Sequence, residues 1–304
     1  MQKESFVNYV SERLQDIIGC EVRIHKVPKN NGLVLTGVTI MREGRNAYPT
    51  IYLDDYYEDY QAGRNMESIV REIKRTDEKY QVADDFDVTC FTDFNKVKAN
   101  LYYKIINLEA NRERLQNIPH KPILDFAKVY YVEIKNEIIG SGTILIANEH
   151  MKQWGVTAEE LDTIATANTE IKLQPSVREL REILKEMKGC IEIPESIEVT
   201  DFCFNMYVVS NQKQFYGAST LIYGNLLKVI AENVKDDLII FPSSVYEFIF
   251  VPACFVEQDY EELKEMVESI NVTVLSKEEF LSNNVYFFDR HKNELMIYDG
   301  TQGW

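Results

Sequence analysis

LYYKIINLEANRERLQNIPHKPILDFAKVYYVEIKNEIIGSGTILIANEHMKQWG, residues 101–155, is the stretch that decides the fold. Its start continues a stripe of apolar residues at spacings of three and four. These are Phe94, Val97, Leu101, Ile105 and Leu108. Such spacing places side chains on one face of an α-helix, so the pattern predicts a helix over 94–108 with Asp93 as its N-cap. We expect this to be the strongest helix in the chain.

The second half of the stretch predicts a turn, two strands and another helix. Pro119 and Pro122 bracket His120 and end any helix before them, because proline lacks a backbone N–H and restricts the residue that precedes it. Residues 126–134 and 143–147 are rich in β-branched and aromatic side chains, which favours a pair of strands. Helix and hairpin alternate, a pattern typical of an α+β fold.

Residues 1–82 predict a small α+β unit of their own. A first helix ends at Gly19, and Asn31-Gly32 is a favoured type I′ turn between two strands. Asp54 and Asn65 are placed to cap two further helices. The polar segment that follows loses its helical periodicity, so we place a boundary near residue 83. A larger α+β domain over 83–304 then contains the stretch quoted above.

The remaining sequence alternates short strands with capped helices. Four Ser/Thr/Asp-x-x-Glu pairs predict helix starts: Thr157 with Glu160, Ser176 with Glu179, Asp259 with Glu262, and Ser276 with Glu279. Runs favouring strands lie at 206–210, 218–223, 238–241 and 245–251, and a last hairpin at 285–289 and 295–298. Because strands come as hairpins, we expect antiparallel or mixed sheets built from hairpin-helix units.

A gapless shift aligns two segments of the chain, 130–148 and 207–225. The identical pairs are Tyr130 with Tyr207, Val132 with Val209, Gly140 with Gly217, Thr143 with Thr220, and Asn148 with Asn225. Each segment predicts a strand, a glycine-containing turn, a second strand and a helix. Two interpretations stay open. One is an internal duplication, and the other is a chance similarity between two hairpin-helix units.

The charge balance argues against nucleic acid as a partner. The 304 residues include 33 Lys and Arg against 49 Asp and Glu, a formal net charge of −16, which repels a phosphate backbone. The basic runs 64–75 and 178–188 are interleaved with Glu and indicate solvated helix faces. We therefore expect no binding to nucleic acid.

Targeting and metal-binding signals are also missing from the sequence. No apolar run approaches the ~18 residues that span a bilayer, and the amino-terminal helix lacks the continuous apolar core of a signal peptide, so we expect a cytoplasmic protein without membrane contact. The five cysteines are Cys20, Cys90, Cys190, Cys203 and Cys254. They form no Cys-x-x-Cys pair, which favours buried free thiols, no metal and no cofactor.

Three residues form a candidate acid–base site. Glu149 and His150 are adjacent, and a fold that brings His120 beside them would supply an acid and a base. Against this, neighbouring helical residues point about 100° apart, unlike the paired histidines of a His-Glu-x-x-His metal site. We rank a catalytic role for His120, Glu149 and His150 below a structural one.

Three other motifs favour structural interpretations. Gly140-Ser141-Gly142 lies between predicted strands and indicates a hairpin turn more than a phosphate-binding loop. Pro242-Ser243-Ser244 lacks the glycines of a nucleophile elbow and indicates a turn. The carboxylates Asp84, Asp85 and Asp87 do not have the spacing of a calcium loop.

Tyrosines and acidic residues are concentrated between Tyr48 and Tyr60. This composition suits a protein interface, because tyrosine combines apolar area with a polar tip. The interface candidates are Tyr52, Tyr56, Tyr57 and Tyr60. The alternative, which we favour, is that about half of these rings pack the core of the first unit.

Several blocks of the chain carry a family resemblance. They are PTIYLDDYYEDYQAG, YKIINLEANRERLQNIPHKPILDFAKVYYV, TILIANEHMKQWGV, MYVVSNQKQFYGASTLIYGNLL, IIFPSSVYEFIFVP and NVYFFDR. In this order they resemble an uncharacterised domain-of-unknown-function family abundant in anaerobic gram-positive bacteria. The resemblance covers nearly the whole chain, and it implies no activity and no catalytic residues.

These observations favour a non-catalytic protein-binding or regulatory protein whose partner is another protein. The missing catalytic motifs, the acidic balance and the tyrosine-rich segment carry this hypothesis. The alternatives are a hydrolytic enzyme that uses His120, Glu149 and His150, and a sensor of a small ligand. No pattern in the sequence indicates an oligomeric state.

Overall fold

The computed structural model describes residues 1–45, 48–80, 89–136, 140–188, 205–257 and 259–301. The chain divides into two compact units, Met1–Val97 with Glu133–Ile144, and Lys98–Val132 with Leu145–Trp304. The boundary predicted near residue 83 lies outside the described residues. Helices and antiparallel sheets confirm the predicted α+β class. No helix in the described ranges is long and apolar enough to cross a membrane.

The elements that begin the chain are α1 (Lys3–Ile18), β1 (Glu21–Pro28), β2 (Val34–Met41), β3 (Ile51–Tyr52), α2 (Asp54–Gln61), α3 (Met66–Lys79), α4 (Thr89–Thr92) and α5 (Phe94–Val97). The following strands are β4 (Leu101–Asn107), β5 (His120–Ile123), β6 (Phe126–Asn136), β7 (Gly140–Leu145), β8 (Pro175–Glu179), β9 (Tyr207–Asn211), β10 (Leu238–Phe241), β11 (Phe248–Pro252), β12 (Tyr286–Asp289) and β13 (Glu294–Ile297). The following helices are α6 (Arg112–Leu115), α7 (Asn148–Trp154), α8 (Ala158–Lys172), α9 (Leu180–Lys188), α10 (Leu226–Val234) and α11 (Tyr260–Val274).

The first unit contains a three-stranded sheet, ordered β1-β2-β3, packed against helices. β1 and β2 form the predicted hairpin, and Asn31 and Gly32 have φ values of 57° and 67°. Both values are positive, as a type I′ turn requires. Phe6 of α1 and Ile69 of α3 are fully buried in the core above the sheet. Local turn chemistry and an amphipathic helix therefore specify this unit.

The two predicted caps in the first unit have different outcomes. Asn65 caps α3, since its side-chain oxygen accepts two backbone N–H groups of the first turn. Asp54 does not cap α2, because the N-cap is the residue before it. Its carboxylate accepts the Thr36 N–H at 2.8 Å and the Lys3 Nζ at 2.7 Å. Asp54 thus joins β2 to α1 instead of capping a helix.

The helix predicted over 94–108 is wrong. The chain is helical only in α5, forms a 3-10 turn at Lys98–Asn100, and then becomes strand β4. β4 pairs antiparallel with β6 from Leu101↔Val132 to Asn107↔Phe126. Apolar residues line both faces of this strand, so the sequence fits the helical and the strand period alike. Pairing with β6 decides between them.

The turn predicted around His120 is also wrong. His120 begins β5, which pairs with β6 as far as Ile123↔Phe126. Pro122 is tolerated because β5 is an edge strand, where a missing N–H leaves no ladder bond unmade. The hairpin predicted at 126–134 and 143–147 is confirmed, since β7 pairs with β6.

A six-stranded antiparallel sheet, ordered β13-β12-β10-β11-β9-β8, forms much of the second unit. Successive residues of its central strand β10 alternate between two apolar cores. Leu238 and Ile240 pack with α10 and the 3-10 helix Gly217–Ile222, whereas Ile239 and Phe241 pack with α11. Both faces of the sheet are therefore covered, which explains the continuous apolar run LIIF.

The four predicted capping pairs separate into two groups. Thr157 and Asp259 each accept the backbone N–H of the Glu three residues later, at the starts of α8 and α11. Ser176 lies in β8, so the helix start predicted there is wrong. Ser276 bonds to its Glu partner, but residues 277–285 form turns and no helix. A capping pair is enough to close one turn. The turn continues into a helix only where the apolar face of the following residues packs against a core.

Of the two interpretations of segments 130–148 and 207–225, the secondary structure favours chance similarity over an internal duplication. The first strands agree, since Val132 of β6 and Val209 of β9 are both buried. The centres differ: Gly140-Ser141-Gly142 lies within strand β7, not in the predicted turn, whereas Gly217 begins a 3-10 helix. The strand predicted at 218–223 is this 3-10 helix, which covers the six-stranded sheet.

Gly217 lies where two segments of the second unit approach closely. A Cβ placed on it would lie 2.0 Å from Ser210 Oγ and 2.4 Å from the Tyr246 carbonyl oxygen. By contrast, a Cβ on Gly142 of β7 would meet no atom within 4 Å. Only glycine fits at position 217, because backbone atoms cannot move aside as a flexible side chain can.

We expect Gly217→Ala to lower the free energy of unfolding by about 1–3 kcal/mol or more, the usual cost of overpacking. Gly142→Ala is the matched control and should change stability much less. Urea denaturation of both variants measures the difference. Equal stability of the two variants would contradict the close approach at Gly217.

Helix α8 is joined to the four-stranded sheet by a buried ion pair. Lys128 of β6 places Nζ 2.5 Å from Asp162 Oδ1 and 2.6 Å from Thr166 Oγ1. The side chains of Lys128 and Asp162 are 7% and 23% exposed. Desolvation acts to raise the pKa of Asp162, but the Lys128 hydrogen bond and charge outweigh it, so the pKa lies below its ordinary value.

Asp162→Asn should destabilise the protein by on the order of 2–3 kcal/mol at pH 7, because it leaves Lys128 buried without its carboxylate partner. A lowered pKa in the folded state means that this stability is complete above the ordinary aspartate pKa and is lost as pH falls through the folded value. The difference in free energy of unfolding between the wild type and Asp162→Asn should therefore become smaller at acidic pH. Glu159→Gln, an exposed change on the same helix, is the control for urea melts between pH 7 and pH 3. A gap that does not depend on pH would contradict the ion pair.

Candidate functional site

The least ordinary chemical environment among the described residues surrounds Lys104. Lys104 is the one charged residue in the apolar run LYYKII of β4. The Tyr103 ring lies on the same face of the sheet as Lys128, whose Nζ is 4.2 Å from the ring centroid. Because side chains alternate along a strand, Lys104 faces the opposite side. There its Nζ lies 3.8 Å from the centroid of the Tyr216 ring. This distance is short enough for a cation–π contact.

Aromatic rings surround Tyr216 on several sides. The ring centroids of Phe215 and Tyr131 lie 4.2 Å and 5.3 Å from that of Tyr216. Tyr246 stacks nearly parallel to Tyr216, with centroids 6.2 Å apart and planes 8° apart. Tyr246 is 37% exposed, so this side of the aromatic cluster reaches solvent. Lys104 therefore lies beside a cluster of aromatic rings, of which the Tyr246 ring is exposed to solvent.

The segment that carries Tyr216 is held in a strained backbone conformation. Gln214 and Tyr216 have φ values of 52° and 50°, in the left-handed region that bulky residues rarely adopt. Asn211, fully buried, holds the turn: its amide donates to the Phe215 carbonyl at 2.8 Å and its side-chain oxygen accepts the Lys213 N–H at 3.0 Å. Such conformations cost on the order of 1–3 kcal/mol each and cluster at functional sites.

Tyr246 is positioned by bonds on both sides of its peptide. Ser210 Oγ donates to the Tyr246 carbonyl at 2.8 Å, and the Tyr246 N–H donates to Ser244 Oγ at 3.0 Å. The predicted turn at Pro242-Ser243-Ser244 is confirmed, because these residues connect β10 to β11. The exposed ring therefore stands on a fixed backbone.

Desolvation dominates the electrostatics at Lys104. Burial lowers the pKa of the Lys104 ammonium, and the positive charge of Arg114 lowers it further, while Tyr216 and Glu278 act in the opposite direction. Burial also lowers the pKa of Arg114, although a guanidinium stays charged at neutral pH. Among the described residues, no carboxylate forms an ion pair with Lys104 or Arg114. The site therefore combines two desolvated cations with the single opposing charge of Glu278.

This arrangement favours an anion. A cation removed from water without a carboxylate partner is costly, and an anionic ligand near Lys104 would offset that cost. The rings of Tyr216 and Tyr246 add apolar area for the body of such a ligand. The side chains of Lys104 and Arg114 are positively charged, whereas the chain as a whole has a formal net charge of −16.

The predicted acid–base residues do not form a pair. His120 is exposed, and its Nδ1 lies 2.9 Å from the Ile118 carbonyl oxygen, its only polar contact with the described residues. His150 Nδ1 accepts the Ala147 N–H at 3.0 Å and so closes the first turn of α7. Burial lowers the pKa of His150 although the Glu149 charge acts to raise it. Both rings have local structural roles.

The interface candidates are divided between core and surface. Tyr56, Tyr57 and Tyr60 pack against the apolar core of the first unit, and Tyr57 and Tyr60 lie 5.3 Å and 5.5 Å from the Phe6 ring. Tyr52 is half-buried, with the Lys29 Nζ 4.3 Å from its ring centroid. Their role at an interface stays a prediction.

The remaining site predictions concern acids and thiols. Asp84, Asp85 and Asp87 lie outside the described residues. Within the described ranges, no group of three or more His, Cys, Asp or Glu residues could hold a metal ion. Cys254 is exposed and Cys20 is half-buried, which corrects the expectation of buried thiols for these two.

Sequence reasoning missed Lys104 because it assigned β4 to a helix. On the predicted helix, Lys104 would lie beside the apolar stripe and reach solvent like any surface lysine. One signal was available: in LYYKII, residues 101–106, a single lysine stands among five apolar and aromatic residues. Arg114 and Tyr216 carry no local signal, since only the tertiary structure brings them to β4.

Lys104→Met and Lys128→Met should have opposite effects. Methionine at 104 removes a desolvated charge that has no carboxylate partner, so the free energy of unfolding should stay constant or rise by about 1 kcal/mol. Methionine at 128 leaves Asp162 without its main partner and should lower the free energy of unfolding by about 1–3 kcal/mol. Urea denaturation at pH 7 compares them. A larger loss for Lys104→Met would contradict the electrostatic difference.

Comparison with known proteins places the chain in a family without assigning an activity. No curated protein and no solved structure matches it significantly. The model of DUF5688, a family of unknown function, matches residues 3–290 of 304. Because the match covers nearly the whole chain and agrees with the resemblance carried by the sequence blocks, the chain belongs to the DUF5688 family.

Proposed function

We propose that this protein is a cytoplasmic, non-catalytic regulatory protein that senses a small anionic ligand at Lys104 and Arg114. The observation that carries the proposal is Lys104 itself, a half-buried cation 3.8 Å from the centroid of an aromatic ring, with no ion-pair partner among the described residues. Lys128 shows the ordinary alternative, in which a buried lysine takes an aspartate.

The geometry favours a small ligand over the other candidate functions. Three of the four interface tyrosines contribute to the core of the first unit, which weakens the argument for a protein partner. A hydrolytic role for His120 has less support, because among the described residues its ring contacts only the Ile118 carbonyl oxygen and neither Glu149 nor His150. Nucleic acid is disfavoured as the anion, because two half-buried cations on an acidic chain release few counterions.

The expected ligand carries a carboxylate or phosphate group and a small apolar or planar body. Arg114 presents a planar fork suited to two oxygens of one anionic group, while Lys104 supplies a compact charge. The rings of Tyr216 and Tyr246 would then cover the body of the ligand. The strained turn at Gln214 and Tyr216 is a segment whose conformation the ligand would influence.

A thermal-shift screen of the full chain against small carboxylates and phosphates, followed by calorimetric titration, tests the proposal. Lys104→Met and Arg114→Met should each weaken binding by about tenfold or more, since a charge-assisted hydrogen bond contributes about 1.5–3 kcal/mol. Lys185→Met removes an exposed charge of α9 and should bind as the wild type does. If no anion in the panel raises the melting temperature, or if the Lys104 and Arg114 variants bind equally well, the proposal fails.

A further inference from the structure

Strand β1 forms an open edge of the sheet in the first unit. It is eight residues long, six of them exposed, and among the described residues it pairs only with β2. The opposite edge of this sheet, β3, is only two residues long. An exposed edge strand offers a row of backbone N–H and C=O groups to which a further strand can bind.

Strand β4, an edge of the four-stranded sheet, is covered in a way that β1 is not. The Tyr103 N–H donates to Thr169 Oγ1 at 3.0 Å, and Asn168 Nδ2 donates to the Leu101 carbonyl oxygen at 2.9 Å. Side chains of α8 thus take the place of a neighbouring strand. Within the described part of the chain, no group covers the outer side of β1 in this way.

The pairing of β1 with β2 fixes which backbone groups of β1 point outward. Thr36 of β2 points away from β1, since its N–H donates to Asp54 and its carbonyl oxygen accepts the Leu53 N–H. Lys26 is opposite Thr36, and opposite residues of an antiparallel pair either both face each other or both face away. Because these directions alternate along the strand, the outward N–H and C=O groups are those of Val22, Ile24 and Lys26.

The open edge ends at Pro28. Pro28 occupies the next outward position of β1 and has no N–H to offer. The proline leaves the pairing with β2 intact, because an outward N–H takes no part in that pairing. Three N–H and three C=O groups before it are therefore available to a strand that lies beside β1.

Ile24 shows that the apolar core extends to this edge. Val22 and Ile24 lie on the same face of the sheet because side chains alternate, and that face carries the core. Val22 is buried there, whereas Ile24 is 42% exposed although Val38, its partner in β2, is fully buried. An apolar side chain on a neighbouring strand would cover Ile24.

The charges of β1 favour an acidic partner. The strand carries Arg23 and Lys26 against Glu21, and Lys29 follows it, whereas the whole chain has a net charge of −16. Lys26 Nζ donates to a neutral group, Thr36 Oγ1, at 2.7 Å. Opposite charges across neighbouring strands are stabilising and like charges are destabilising. A second copy of the chain would place two basic strands side by side, so an acidic segment fits better.

We infer that β1 is a docking edge for an extended acidic segment of another protein, which adds to the sheet as a further antiparallel strand. The outward backbone groups bind the main chain of this segment, Ile24 contacts an apolar residue, and Arg23 and Lys26 contact acidic ones. The inference goes beyond the proposed function and does not rest on it, because β1 belongs to the first unit and Lys104 to the second.

A heptapeptide designed for this edge tests the inference. In the sequence Thr-Glu-Glu-Val-Glu-Val-Thr, bound antiparallel, the first valine lies opposite Ile24, the first glutamate opposite Lys26 and the last glutamate opposite Arg23. Fluorescence anisotropy of the labelled peptide measures its binding to the full-length protein. We expect saturable binding that weakens as salt is added, and a peptide with lysines in place of the glutamates should bind at least about tenfold more weakly.

N-methylation of the peptide separates backbone recognition from charge. In the antiparallel arrangement the amides of the two valines face β1, whereas those of the second and third glutamates face away. Methylation of the two valine amides should weaken binding by about tenfold or more, because two main-chain hydrogen bonds are lost. Methylation of the two glutamate amides is the matched control and should leave the affinity unchanged. Equal affinities of the two methylated peptides would overturn the inference.

Lys26→Glu tests the charge on the protein. This variant should bind the acidic peptide about tenfold more weakly, since an opposite-charge pair becomes a like-charge pair. Lys185→Glu makes the same change in net charge at an exposed lysine of α9 and should bind as the wild type does. Circular dichroism confirms that both variants are folded. Equal losses in the two variants would show a general charge effect and contradict docking at β1.

Analytical ultracentrifugation tests whether a second copy occupies β1 instead. Ile24→Pro removes an outward N–H that β2 does not use, so we expect it to abolish binding of the acidic peptide without changing the oligomeric state. A dimer that Ile24→Pro converts to monomers would show that β1 binds its own copy and would overturn the inference. Failure of the wild-type protein to bind the acidic peptide would overturn it as well.

Discussion

The second unit depends on one carboxylate, that of Asp125, which connects its two sheets. Asp125 precedes β6 and accepts hydrogen bonds from Ser282 Oγ at 2.6 Å, Asn284 Nδ2 at 3.0 Å and Tyr286 Oη at 2.7 Å. These three bonds join the start of β6 to β12 and to the segment just before it. Next to it the Phe126 and Tyr286 rings lie 5.1 Å apart within a shared core.

The four-stranded sheet shows how one scaffold treats two buried cations differently. On one face, Lys128 pairs with Asp162 of α8, although burial still lowers the pKa of the Lys128 ammonium. On the other face, Lys104 lies against the Tyr216 ring without an ion-pair partner among the described residues, and burial lowers its pKa too. Strand alternation alone separates the two environments. The two lysines therefore differ in their partners, a carboxylate for Lys128 and an aromatic ring for Lys104.

Much of the secondary structure followed from local physical chemistry. The type I′ turn at Asn31-Gly32, the Asn65 cap and the apolar strand β10 depend on backbone preferences and on neighbours a few residues away. These features formed as expected, because no distant partner competes with them. The errors arose at β4 and at Gly217–Ile222, where residues that fit two structures adopt the one that their distant partners allow.

The sequence by itself determined the α+β class, the hairpins, several helix starts and the membership of DUF5688, because these depend on periodicity, turn chemistry and motif order. Only the tertiary structure decided that β4 is a strand, since its backbone is paired with β6 in a register no local pattern encodes. It also decided the candidate site. Tyr216 lies far along the chain from Lys104, and the two side chains meet only because the pairing of β4 with β6 sets which face of the sheet Lys104 occupies.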